Sequence, residues 1–135
     1  MPVTTVLTVG LDFQLLRSRT LLLRSAGCIV APACSVKEAI EEFRHGDFDL
    51  VLLCYSIPTK DREGLTCLIR ASGSLTPVVT VADSPGRKDY FADATLESRP
   101  EQLLPGILNV LTQAQHAMAS RRESPPLSLL VRRSA

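Results

Sequence analysis

The run from Asp49 to Pro58, reading Asp-Leu-Val-Leu-Leu-Cys-Tyr-Ser-Ile-Pro, constrains the fold more than any other stretch of the chain. Leu50 to Leu53 are four aliphatic residues in a row. A strand with one wet face alternates apolar and polar side chains, whereas a short unbroken apolar run is buried on both faces. Strands of that kind occupy the middle of parallel sheets, with helices packed above and below. The run stops at Cys54, a small residue at what should be the carboxyl edge of the sheet. Open α/β folds place their chemistry at that edge.

The rest of the chain supplies the partners such a strand needs. Thr5 to Val9 reads as a first strand and Cys28 to Ala33 as a second. Between them, Asp12 can cap a helix over Phe13 to Ala26, with Leu15, Leu16, Arg19, Leu22 and Leu23 near helical spacing and Gly27 as its stop. Ser35-Val-Lys-Glu38 is a capping box, and behind it Val36, Ala39, Ile40 and Phe43 form the clearest amphipathic stripe in the chain. After the central strand, Thr59 to Gly64 reads as a charged loop leading into a helix with Leu65, Leu68 and Ile69 inward.

Val78 to Ala82 is a further doubly buried strand, followed by turn chemistry at Asp83-Ser-Pro-Gly86. Arg87 to Ala92 offers at most a weak, short fourth helix before an edge strand at Ala94 to Leu96. Ser98-Arg-Pro-Glu101 is a second capping box, opening a last helix with Leu103, Leu104, Ile107, Leu108 and Leu111 inward. Pro105 inside that pattern leaves two readings open: an irregular first turn, or a helix starting near Leu104. Five strands alternating with helices predict a three-layer α/β sandwich with right-handed crossovers. The domain should span residues 1–118, with 119–135 a flexible tail.

Composition excludes several classes. With 45% apolar and 21% charged residues, the chain is globular, and a net charge of +1 gives no field suited to nucleic acid or membrane. The amino terminus lacks the pattern of a secretory leader, and no apolar run is long enough to span a bilayer, so a cytoplasmic location is expected. Cys28, Cys34, Cys54 and Cys67 form no C-x-x-C pair and have no neighbouring histidine, which argues against zinc and against a redox dithiol.

Taken in order, the pieces resemble a bacterial response-regulator receiver domain. They are Val6-Leu-Thr-Val9 ahead of an acidic loop, Leu21 to Val30, Ser35 to Ile40, Phe48 to Leu53 with Ile57-Pro58, Pro77-Val-Val79, Phe91 to Ala94 and Pro100 to Leu104. The resemblance covers about Val3 to Ala117. It implies a flavodoxin-like fold with a five-stranded parallel sheet of order 2-1-3-4-5. It also implies phosphoryl transfer onto an aspartate ending the third strand. A divalent metal would be held by that aspartate and an acidic pair after the first strand. A Ser/Thr and a Lys ending the fourth and fifth strands would bind the phosphoryl group.

Carried over residue by residue, that machinery is missing. The acceptor position is Cys54, the acidic pair falls on Gly10 and Leu11, and the Ser/Thr position is Ala82. No lysine lies in Leu96 to Arg99, while the loop proline, Pro58, is kept. Asp12 and Asp83 remain as strand-end acids, better suited to a cap and a turn than to a metal. The expectation is a degenerate, stand-alone receiver-like module: not an enzyme, without metal or cofactor, binding another signalling protein rather than nucleic acid or membrane. Homodimerisation is compatible with this and is not specified. The alternative is a redox or small-molecule sensor built around Cys54. Asp12 and Asp83 would raise that thiol's pKa, and the basic side of the first helix (Arg17, Arg19, Arg24) reads as a solvated face.

Overall fold

A computed structural model describes residues 3–123, with side chains described through His116. Five strands form one parallel sheet of order β2-β1-β3-β4-β5: β1 (Thr5–Val9), β2 (Ile29–Ala33), β3 (Leu50–Cys54), β4 (Val78–Ala82) and β5 (Ala94–Glu97). Four helices cover its two faces: α1 (Phe13–Ser25), α2 (Val36–His45), α3 (Thr59–Ala71) and α4 (Pro100–Glu123). This is the flavodoxin-like architecture, with the expected strand order.

Every residue of β3 and β4 is buried, as the unbroken apolar run of β3 requires, and Thr80 of β4 is buried with its hydroxyl bonded to Thr95. Each large aliphatic side chain so buried contributes roughly 1.5–3 kcal/mol. Two cores result. Leu7, Val9, Val51 and Leu53 pack beneath α2 and α3, with Ala39, Leu65 and Ile69. Val6, Leu50, Leu52, Val79 and Val81 pack beneath α1 and α4, with Leu23, Leu103 and Ile107. The edges are looser. Pro32, which cannot donate to a ladder, lies exposed in the edge strand β2.

Several boundaries differ from the sequence expectation. α3 begins at Thr59, directly after Pro58, so the charged stretch 59–64 is helical. Arg62, Leu65, Thr66 and Ile69 form its buried stripe at helical spacing, and Leu68 is exposed. On α1 the buried residues are Leu16, Arg19, Thr20 and Leu23, while Leu15 points outward. Arg19 is therefore part of the packed face, whereas Arg17 and Arg24 are exposed.

Between β4 and β5 no helix forms: residues 83–93 are turns and loop. Their proline, glycine and charges supply no apolar stripe to bury. The last helix runs unbroken from Pro100 to Glu123, with Pro105 inside it, and so extends past the expected end of the domain near residue 118. Its first turn is tightened, because the Arg99 carbonyl accepts from both Gln102 and Leu103. Leu108 is exposed. The adjoining glycine explains the Pro105-Gly106 pair better than a kink does. A Cβ on Gly106 would stand 2.6 Å from Leu96 Cδ2, so this residue lets α4 close onto β5. The remainder of the expected tail, residues 124–135, lies outside the described residues.

Candidate functional site

Register brings three loops together at the carboxyl edge. Val9 pairs with Leu53 and Cys54 with Val81, which sets Gly10 beside Cys54. A Cβ on Gly10 would lie 3.1 Å from Cys54 Sγ and 3.3 Å from its Cβ. Leu11 donates its N–H to Ser56 Oγ at 2.9 Å, tying the loop after β1 to the loop after β3, and its side chain is 45% exposed. Asp12 is the N-cap of α1 and accepts from the N–H groups of Gln14 and Leu15. Pro58 occupies the position just before α3, Ala82 is buried at the end of β4, and Asp83 is exposed.

Cys54 itself is 2% exposed. Arg19 reaches across from α1, and its Nη1 donates to Cys54 Sγ at 2.7 Å. Burial pushes the thiol's pKa up from its ordinary value; the Arg19 charge and hydrogen bond pull it back in part, and the Asp12 charge adds to the rise. The sequence expectation had Asp12 in the right sense, while Asp83 contributes nothing and the cation Arg19 was missed. Arg19 stands three residues after Leu16 and four before Leu23, both buried. Its place on the apolar stripe was the available sign that it turns inward.

A second cluster fixes the loop between β4 and β5. Arg62 donates to Asp89 through Nε (2.9 Å) and Nη2 (3.1 Å), and both residues are buried. Arg62 also donates to the Ile57 carbonyl and lies 3.9 Å from the Tyr55 ring centroid, with Arg87 at 5.6 Å from the same ring. Asp89 donates its N–H to Thr95 Oγ1, which in turn meets Thr80 Oγ1 at 2.9 Å. Arg70 pairs with Asp93, whose carboxylate accepts the Val78 N–H. Neither Arg62 nor Asp89 drew attention in the sequence. The signal was again spacing, since Arg62 sits on the stripe shared by Leu65, Thr66 and Ile69. Tyr90 at the tip of the loop is 90% exposed.

No protein-family model matches the chain, and no curated protein sequence is similar to it. Solved structures are similar in shape. A CheY-like response regulator receiver domain protein from Methanospirillum hungatei JF-1 superposes with a TM-score of 0.69 at 21% identity, covering 86% of this chain and 99% of that one. The chemotaxis response regulator CheY4 of Vibrio cholerae gives 0.71 at 19% identity, covering 81% and 99%. The chain has the receiver-domain fold. The signal receiver domain of an HD domain-containing protein from Pseudomonas fluorescens Pf-5 adds a match of 0.68 at 18% identity, covering 88% and 99%.

Receiver chemistry calls for a divalent cation among carboxylates, and the residues here do not fit one. Magnesium takes hard oxygen ligands. The positions expected from the resemblance are Gly10, Leu11 and the Cys54 thiol, and a guanidinium is directed at that thiol. Asp12 is engaged as a cap and Glu97 bonds Arg99 at 2.6 Å. Among the described residues, no three His, Cys, Asp or Glu side chains come together as a metal site. His45 Nδ1 meets the Glu41 carbonyl at 2.8 Å, an arrangement confined to the end of its own helix.

Proposed function

We propose that the chain is a receiver-like signalling module that acts by binding another protein, without phosphorylation of the usual kind. The observation that carries this reading is the Arg19–Cys54 contact. The position where a receiver would present an ionised carboxylate holds a buried thiol closed off by a cation from α1. A phosphoryl acceptor must be an exposed nucleophile with a metal beside it. Cys54 has neither property. On this reading the domain has no catalytic activity, and the fold serves as a scaffold for recognition.

The recognition surface we assign is the loop 83–93 together with the exposed side of α4. Receiver-type switching requires a movable hydroxyl at the end of β4, where this chain has Ala82. The loop is instead held by Arg62–Asp89 and Arg70–Asp93, a fixed presentation for Tyr90, Arg87 and Lys88. Tyrosine and arginine are the side chains that most often dominate binding energy at interfaces.

Incubation with acetyl phosphate and magnesium, followed by intact-mass measurement, tests the first half of the reading. A stoichiometric phosphoryl adduct would sink it. Affinity capture with the purified chain, compared against a Tyr90→Ala variant, tests the second. A redox role for Cys54 takes second place, because burial and the raised thiol pKa both slow attack by a thiolate.

A further inference from the structure

A groove of about 490 Å³ lies between α1 and the start of α4. That volume is within the range of small-molecule sites. Its walls are apolar where Leu15, Leu22 and Leu103 line it, and polar at Ser18, Ser98 and Arg19. Solvent reaches it past Leu15 and Ser18, both exposed.

Arg19 makes this groove more than a gap between helices. The residue is only 8% exposed, and buried guanidinium groups ordinarily find a carboxylate. Among the described residues the ion pairs are Arg62–Asp89, Arg70–Asp93 and Arg99–Glu97, and Arg19 is in none of them. Its one hydrogen bond there goes to a thiol, a weak acceptor, although a guanidinium carries five N–H donors. Among the described residues, the one charged side chain lining the groove is thus a buried cation with donor capacity to spare. Ser18 and Ser98 line the same groove and bring two hydroxyl donors to it.

We propose that the α1–α4 groove binds a small amphipathic carboxylate, with its headgroup on Arg19, Ser18 and Ser98 and its alkyl chain along Leu15, Leu22 and Leu103. A single cation suits a singly charged headgroup better than a phosphate dianion, and the leucines ask for a saturated chain rather than a sugar or nucleotide. The groove shares Arg19 and the start of α4 with the protein-binding reading, but its lining includes no residue of the loop 83–93. Loss of octanoate binding and loss of partner capture through Tyr90 are therefore separate outcomes.

The test is titration of the full chain with octanoate, followed by amide chemical shifts and calorimetry, with octanol and octylamine as charge controls. Octanoate should bind saturably, shift the amides of Ser18, Ser98 and Leu103, and bind at least about tenfold more tightly than octanol, the step expected of one charge-assisted pair. Arg19→Met keeps the apolar stem and should erase that difference. Ser18→Trp fills the groove from an exposed position and should abolish binding while the circular dichroism spectrum is unchanged. Equal affinity for octanol and octanoate, binding that survives Ser18→Trp, or no saturable octanoate binding at all would each overturn the proposal.

Discussion

Arg62 and Asp89 form a bidentate ion pair, buried on both sides, that joins α3 to the loop between β4 and β5. Here a side-chain contact does what a fourth helix would otherwise do, since residues 83–93 have no regular structure to hold them against the sheet. Removing one partner leaves a buried charge uncompensated. Asp89→Ala should therefore cost about 3–5 kcal/mol in denaturant unfolding. Arg62→Met combined with Asp89→Leu should recover most of that loss, because a buried pair is often no better than apolar residues of similar volume. Hydrogen exchange in the loop should accelerate in the single variant. A single variant as stable as the parent would show that the pair holds nothing in place.

On the proposed reading, an aspartate at position 54 alone should not confer phosphoryl chemistry. Cys54→Asp places a carboxylate against Arg19, where the two would pair. Gly10 and Leu11 still supply no metal ligands. Intact mass after treatment with a phosphodonor and magnesium should stay unchanged for this variant. The variant should fold as well as the parent, read by thermal unfolding.

Thiol reactivity should rank by exposure. Cys34 and Cys67 are exposed and Cys54 is buried, so alkylation at neutral pH should label the first two and spare the third until the protein unfolds. The raised pKa of Cys54 also sets the sign of a pH effect. The folded state holds that proton more tightly than the unfolded chain does. The stabilisation is therefore complete below the ordinary thiol pKa and falls as pH rises from about 8.5 upward. Tyr55, raised chiefly by burial and then by Asp89, adds a loss of the same sign at higher pH. Cys54→Ala should flatten the thiol part of the curve, measured as unfolding free energy against pH.

Tyr90→Ala should leave stability within about 0.5 kcal/mol, as expected for a side chain this exposed. Capture of a protein partner should drop sharply. Unchanged capture would move the recognition surface away from the loop.

The legible part of this molecule was its period. The unbroken apolar run Leu50–Leu53 and the β-branched run Val78–Val81, alternating with helical stripes, fix a parallel sheet whatever the loops contain, and three of the five strands have the bounds expected. Side-chain charge misled where it fell on a stripe. Arg19 reads as wet because arginine usually is, and Arg62 falls in a stretch that reads as a charged loop, yet both occupy buried helical positions where neighbouring leucines already point inward. Their partners, Cys54 and Asp89, lie 35 and 27 residues away in sequence, on other elements. No local pattern encodes such pairings. The Leu96–Gly106 approach was hidden for the same reason, since a proline inside a helix is visible locally and a neighbour's methyl groups are not.

The tight seat of Gly10 against Cys54 also restricts the order in which this edge could be rebuilt. Any side chain at position 10 must enter a space already bounded by the Cys54 sulfur and the Ser56 hydroxyl. An acid introduced there first would meet crowding and no metal, while an acid at position 54 first would be absorbed by Arg19. On the proposed reading, neither single step supplies phosphoryl chemistry, and acquiring it would take several coordinated changes.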